Sequence, residues 1–229
     1  SFGLAFGLDG RFTAKLNGGT AVTGRVVPQN GRSAIQLTSG DAGGVLRSAN
    51  MLKQVRGGTL ALTLLPVGSG GAFDGRAEIT DVRIKDAPSI AALVNAVSVV
   101  GLVNELNGDG IYFDTVEADF RMTPNRITLT KASATGASLG ISMDGVFATD
   151  TGRMALQGVI SPVYMLNGIG SFLTRKGEGL VGFNYTLGGT AQNPDVSVNP
   201  LSALTPGFLR DIFRAPPPFL PNVEGVTGS

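Results

Sequence analysis

Apolar and polar residues alternate along most of this chain, and the alternation restarts after nearly every glycine. Phe2, Leu4, Phe6 and Leu8 take every second position; beyond Asp9 and Gly10, Phe12, Ala14 and Leu16 alternate with Arg11, Thr13 and Lys15. A period of two is that of a strand with one face on an apolar interior. The same pattern sets Val22 and Val26 against Thr23 and Arg25, Leu60, Leu62 and Leu64 against Thr59, Ala61 and Thr63, and Phe73, Ala77 and Ile79 against Arg76 and Glu78. Further on, Val116, Ala118, Phe120 and Met122 oppose Glu117, Asp119 and Arg121, and Leu139, Ile141 and Met143 oppose Ser142 and Asp144. Met154, Leu156 and Ile160 mark another strand, and Val181, Phe183, Tyr185 and Leu187 the last long one. Turn residues separate the runs at Pro28 to Gly31, Gly68 to Gly71, Pro124-Asn125 and Asn193-Pro194, which predicts a series of antiparallel hairpins.

Four stretches depart from period two and predict short helices over about 42–55, 88–106, 162–174 and 202–213. In the first, Val45, Leu46, Ala49 and Leu52 fall on one face, with Gly57-Gly58 as a stop. The second carries Pro88 in its first turn and Ile90, Leu93, Val94, Val97 and Leu102 around most of its circumference, ending at Asn107-Gly108. A helix apolar nearly all round is expected to be buried. The third bears Val163, Leu166, Ile169 and Leu173, and the fourth Leu204, Phe208 and Ile212. Residues 1–214 are expected to form one domain, with 215–229, including Pro216-Pro217-Pro218, as an extended tail.

Composition agrees with many short strands. Glycine accounts for 34 of 229 residues, about twice its usual ~7% share. The net charge of +1, from 18 basic and 17 acidic side chains, sets up no general field for nucleic acid or an anionic surface. The absence of Cys and His removes disulfides, thiol nucleophiles, Cys/His zinc sites and the commonest general base. No run reaches the ~18 apolar residues of a membrane-spanning helix, and Ile90 to Val103 is interrupted by Asn95, Ser98 and Gly101.

Candidate chemistry is sparse. Gly68-Ser69-Gly70-Gly71 lacks the Gly-Lys-Ser/Thr of a phosphate loop and reads as a hairpin turn. Asn107-Gly108-Asp109-Gly110 with Asp114 lacks the spacing and closing Glu of a calcium loop and reads as a helix stop. Glu117 and Asp119 share one strand face, which would suit paired carboxylate chemistry, but their alternation with an apolar row makes them a solvated outer face. No enzyme activity, metal or cofactor is implied. The apolar rows remain, and by themselves they fit an ordinary packed core as well as a binding surface.

Four segments in order carry a family resemblance. They are Gly40-Asp41-Ala42-Gly43; Asp86-Ala87-Pro88; Pro162-Val163-Tyr164-Met165-Leu166-Asn167 with Lys176-Gly177-Glu178-Gly179-Leu180; and Val198-Asn199-Pro200-Leu201-Ser202-Ala203-Leu204 with Pro206-Gly207. Their order resembles the carboxyl-terminal region of the AsmA-like family of Gram-negative envelope proteins, of the YhdP and TamB type. The resemblance implies a mainly β fold: a strongly curved antiparallel sheet forming an open, taco-like groove, apolar inside and polar outside. It also implies a function, the shielding of phospholipid acyl chains as diacyl lipid passes between inner and outer membrane. Phe6, Leu8, Leu62, Leu64, Phe120, Met122, Ile141, Met143, Phe183 and Tyr185 would line such a groove. Val163, Leu166, Ile169 and Leu173 with Leu204, Phe208 and Ile212 would cap it or touch the periplasmic leaflet of the outer membrane. The implied location is the periplasm, with an inner-membrane anchor outside this chain and other envelope proteins as partners. The alternative the family offers is an assembly factor for outer-membrane proteins that works through an exposed sheet edge.

Overall fold

The structure, a computed structural model, describes residues 10–17, 19–29, 32–49, 52–68, 71–97, 100–162, 182–190, 192–199 and 201–202. Eleven strands follow one another in chain order within one antiparallel sheet: β1 (Arg11–Leu16), β2 (Thr20–Gln29), β3 (Arg32–Ser39), β4 (Val55–Val67), β5 (Ala72–Ile84), β6 (Ile111–Thr123), β7 (Arg126–Thr135), β8 (Leu139–Ala148), β9 (Met154–Pro162), β10 (Phe183–Gly189) and β11 (Pro194–Asn199). Among the described residues each strand pairs only with its sequence neighbours, so β1 and β11 lie at the two ends of the order and the described sheet does not close into a barrel. Helix α1 (Ala42–Ser48) joins β3 to β4, and α2 (Pro88–Ala96) with α3 (Val100–Asn107) joins β5 to β6. These helices lie at one end of the strands, and the hairpin turns at 68–71, 124–125 and 149–153 at the other.

The sheet is strongly curved. Strand β11 is five strands from β6, about 24 Å away in a flat sheet at ~4.8 Å per strand. Yet α2, anchored between β5 and β6, packs directly on β11. The sheet therefore wraps around the helices. Bending a sheet crowds the side chains on its concave face, which small residues there relieve. The concave face carries Gly24, Gly75, Ala77, Ala118, Ala132, Gly145 and Gly158 in its middle rows. A register shift in β7 between Leu129 and Ala132 adds local twist.

A crease crosses β4, β5 and β6 where Gly58, Asp81 and Asp114 drop out of the pairing. Gly58 has φ +82 and Asp81 φ +57 there, and a Cβ on Gly58 would press on the Thr80 carbonyl. Across the crease the buried positions change parity: Leu60 and Ile79 are buried on one side, Val55, Val82 and Phe113 on the other. Beyond it, Leu93 and Val94 of α2 and Leu102 and Leu106 of α3 meet Ile111, Phe113, Leu139, Ile141 and Ile160 in one core.

Several sequence expectations change. Helix α1 ends at Ser48 rather than near residue 55, because Val55 is committed to the ladder opposite Ile84 and the chain must extend to reach it. Gly57 and Gly58 lie within β4 instead of stopping a helix. Asp41 caps α1, its Oδ1 accepting the Gly44 N–H at 2.8 Å. The expected helix over 88–106 is two helices; Val97 caps the first, where β-branched Val97, Val99 and Val100 with Ser98 are poor helix formers. Pro162 is the last residue of β9, paired with Leu139, so no helix starts there. The rest of the expected helices over 162–174 and 202–213, and the tail at 215–229, lie outside the described residues. Of the fourth, only Ser202 is described, in a short 3-10 turn with Leu201.

Candidate functional site

Strand register turns the period-two pattern into continuous rows. One concave row crosses all eleven strands: Phe12, Gly24, Leu37, Leu62, Ala77, Ala118, Ala132, Met143, Gly158, Tyr185 and Val198. The next row toward the hairpin tips runs from β2 to β11 through Val26, Ile35, Leu64, Gly75, Phe120, Leu129, Gly145, Leu156, Leu187 and Val196. Pro66, Phe73, Met122, Ile127, Phe147 and Met154 form a third, still nearer the tips. No member of these rows is charged.

The convex face carries the intervening residues. Arg25 Nε donates to Gln36 Oε1 at 2.7 Å, Arg121 Nε to Asp74 Oδ1 at 2.7 Å, and Arg76 stands 3.7 Å from Asp119. These groups are exposed, so they contribute little to stability but keep the convex face over β2–β6 in water, whereas its positions Ser142, Gln157, Val159, Ser161 and Asn184 on β8–β10 are buried. The Asp74 carboxylate, by accepting those hydrogen bonds, raises the Arg121 pKa further above its ordinary value. Glu117 and Asp119 belong to this outer face, as their alternation implies. Gly108 N–H and Gly110 N–H close on the Asn104 and Glu105 carbonyls, forming the helix stop read at Asn107-Gly108. Among the described residues no cluster of metal-ligating side chains occurs, and no helix is long and apolar enough to cross a membrane.

Eight of the ten predicted groove residues share the concave face. Ile141 and Phe183 lie in the row nearest the helices; Leu62, Met143 and Tyr185 in the row across all strands; Leu64 and Phe120 in the next; and Met122 in the last. Phe6 and Leu8 lie outside the described residues, as do Val163, Leu166, Ile169, Leu173, Leu204, Phe208 and Ile212. Burial divides the eight. Ile141 and Tyr185 are buried in the core, whereas Leu62, Leu64, Phe120, Met122, Met143 and Phe183 are only half-buried. The half-buried set continues over Ile35, Leu37, Phe73, Leu129 and Phe147, while Met154, Leu156 and Leu187 on β9 and β10 are buried. Among the described residues the interior is therefore mostly sealed near the helices and along β9–β10, and only partly buried over β3–β6.

Three glycines on the concave face were invisible as site residues in the sequence. Phe12 and Gly24, Phe120 and Gly75, and Tyr185 and Gly158 are direct cross-strand partners. A Cβ added to Gly24 or Gly75 would overlap the Phe12 or Phe120 ring, so each ring lies flat over its glycine. Tyr185 reaches across Gly158 and donates its hydroxyl to the Ser142 carbonyl on β8 at 3.0 Å. Such pairings appear only once the register is known. No family model matches this chain, and no curated protein or solved structure matches it.

Proposed function

We propose that this chain is a groove segment of an AsmA-like envelope protein, in which the concave face shields phospholipid acyl chains from water between two membranes. The observation that carries the reading is the uncharged row from Phe12 to Val198 across all eleven strands, opposite charged residues on β5 and β6 and only partly buried over β3–β6. A monomeric domain rarely leaves a continuous apolar face open without an occupant. Each acyl methylene held there rather than in water is worth about 0.8 kcal/mol. Headgroups stay in solvent beyond the hairpin tips.

The test is lipid capture. Protein incubated with phosphatidylethanolamine/phosphatidylglycerol vesicles and then separated from them should carry phospholipid in native mass spectra. Leu64→Asp should remain folded, since its site is half-open to water, and should lose that lipid. Wild-type protein that takes no phospholipid from the vesicles overturns the reading. Cross-linking of a nascent barrel strand to β1 in place of lipid capture would support the assembly-factor reading, in which an edge strand is the working surface.

A further inference from the structure

Two of the rings that pair with a glycine on the concave face, Tyr185 and Phe120, differ in how they are held. Tyr185 is 3% exposed and latched to the Ser142 carbonyl across Gly158. Phe120 is half-buried in the partly buried section over β3–β6 and has a hydrocarbon ring with no polar atom to anchor it. It rests on Gly75, whose partner position on β5 holds the space a side chain would fill. Gly75 is not in the left-handed region, so its backbone conformation does not demand glycine. What demands glycine is the ring. On either side along the strands, Ala77 and Phe73 flank Gly75, and Ala118 and Met122 flank Phe120.

We propose that Phe120 is the movable wall of the groove: stowed on Gly75, its ring leaves room for an acyl chain; lifted off, it occupies that room. Gly75 is the berth. This rests on the lipid-shielding reading and assigns the pair the role of setting how much acyl chain the open section accepts. A purely structural role, the ring merely covering exposed glycine backbone, makes different predictions.

Gly75→Ala removes the berth and pushes the ring into the groove. Phospholipid captured from phosphatidylethanolamine/phosphatidylglycerol vesicles should fall about tenfold, the effect of excluding roughly two methylenes. Gly75→Ala combined with Phe120→Leu should capture as much lipid as Phe120→Leu alone, since the smaller side chain needs no berth. A second readout does not depend on Gly75→Ala folding. The chain has no Trp, so Phe120→Trp places a lone fluorescent reporter at the wall, and vesicle phospholipid with brominated acyl chains should quench it on capture. Unchanged capture by Gly75→Ala, a further fall when Gly75→Ala is added to Phe120→Leu, or unquenched indole fluorescence from lipid-loaded Phe120→Trp protein each overturns the proposal while the groove reading stands. Wild type that captures no lipid overturns both.

Discussion

Phe113 and Phe120 sit seven residues apart on the same strand. By strict alternation they would face opposite ways, yet both belong to the interior, because the crease at Asp114 reverses parity between them. Their surroundings differ completely. Phe113 is fully buried beneath the helix-covered end, in the cluster with Leu93, Val94 and Leu102. Phe120 lies over Gly75 in the partly buried section, half-buried. One strand thus supplies a fully buried core at one end and a partly buried apolar surface at the other. Alternation alone specifies neither; what covers the face decides.

The comparison breaks most visibly in stability. Phe113→Ala should cost about 3–5 kcal/mol in denaturant unfolding, as a fully buried aromatic does, while Phe120→Ala should cost clearly less, because water already reaches its ring. Equal costs would mean that the section above β3–β6 is as closed as the helix end, and the groove reading would fail with it.

A smaller effect sharpens the boundary between covered and open sections. Tyr185→Phe removes one buried hydrogen bond and should lower stability by roughly 1 kcal/mol, without changing the phospholipid captured. Loss of lipid in that variant would place the working surface along β9–β10 instead of β3–β6.

The smallest effect belongs to the convex side of the crease. Tyr112 donates its hydroxyl to Asp81 Oδ1, and the Arg83 guanidinium lies 5.7 Å from its ring centroid. That hydrogen bond, then burial and the negative charges of Asp81 and Asp114, raise the phenol pKa above its ordinary value, with Arg83 acting the other way. A raised folded-state pKa means the neutral phenol is favoured by folding. The contribution is full below the unfolded value of about 10 and is lost as pH rises through the folded one. Thermal melts between about pH 9 and pH 11.5 should therefore fall more steeply for wild type than for Tyr112→Phe. Parallel slopes would show that the Asp81 contact does not stabilise the crease.

Much of the architecture was legible because strands have a period that side-chain chemistry must obey. Leu62 and Leu64, Phe120 and Met122, and Ile141 and Met143 alternate with polar neighbours, and each pair lies on the concave face. The turn at Pro124-Asn125 and the hairpin at Asn193-Pro194 were likewise written in residues that cannot continue a strand. The misplaced elements were those where tertiary demands outweigh local preference. Gly57-Gly58 reads locally as a helix stop, but the sheet uses it to fold a crease. The stretch 88–106 reads as one helix, but it forms two, α2 reaching β11 and α3 packing on β6.

The sequence by itself therefore determined the strand faces, the hairpin order and the absence of charge along the interior, since each depends on neighbours within a few residues. Only the tertiary structure decided which apolar positions are sealed and which are partly buried, that Gly24 and Gly75 lie beneath the Phe12 and Phe120 rings, and that the Tyr185 hydroxyl passes Gly158. Those properties depend on register and curvature, which bring together residues as far apart as Gly75 and Phe120, or α2 and β11, and no local pattern encodes such distances.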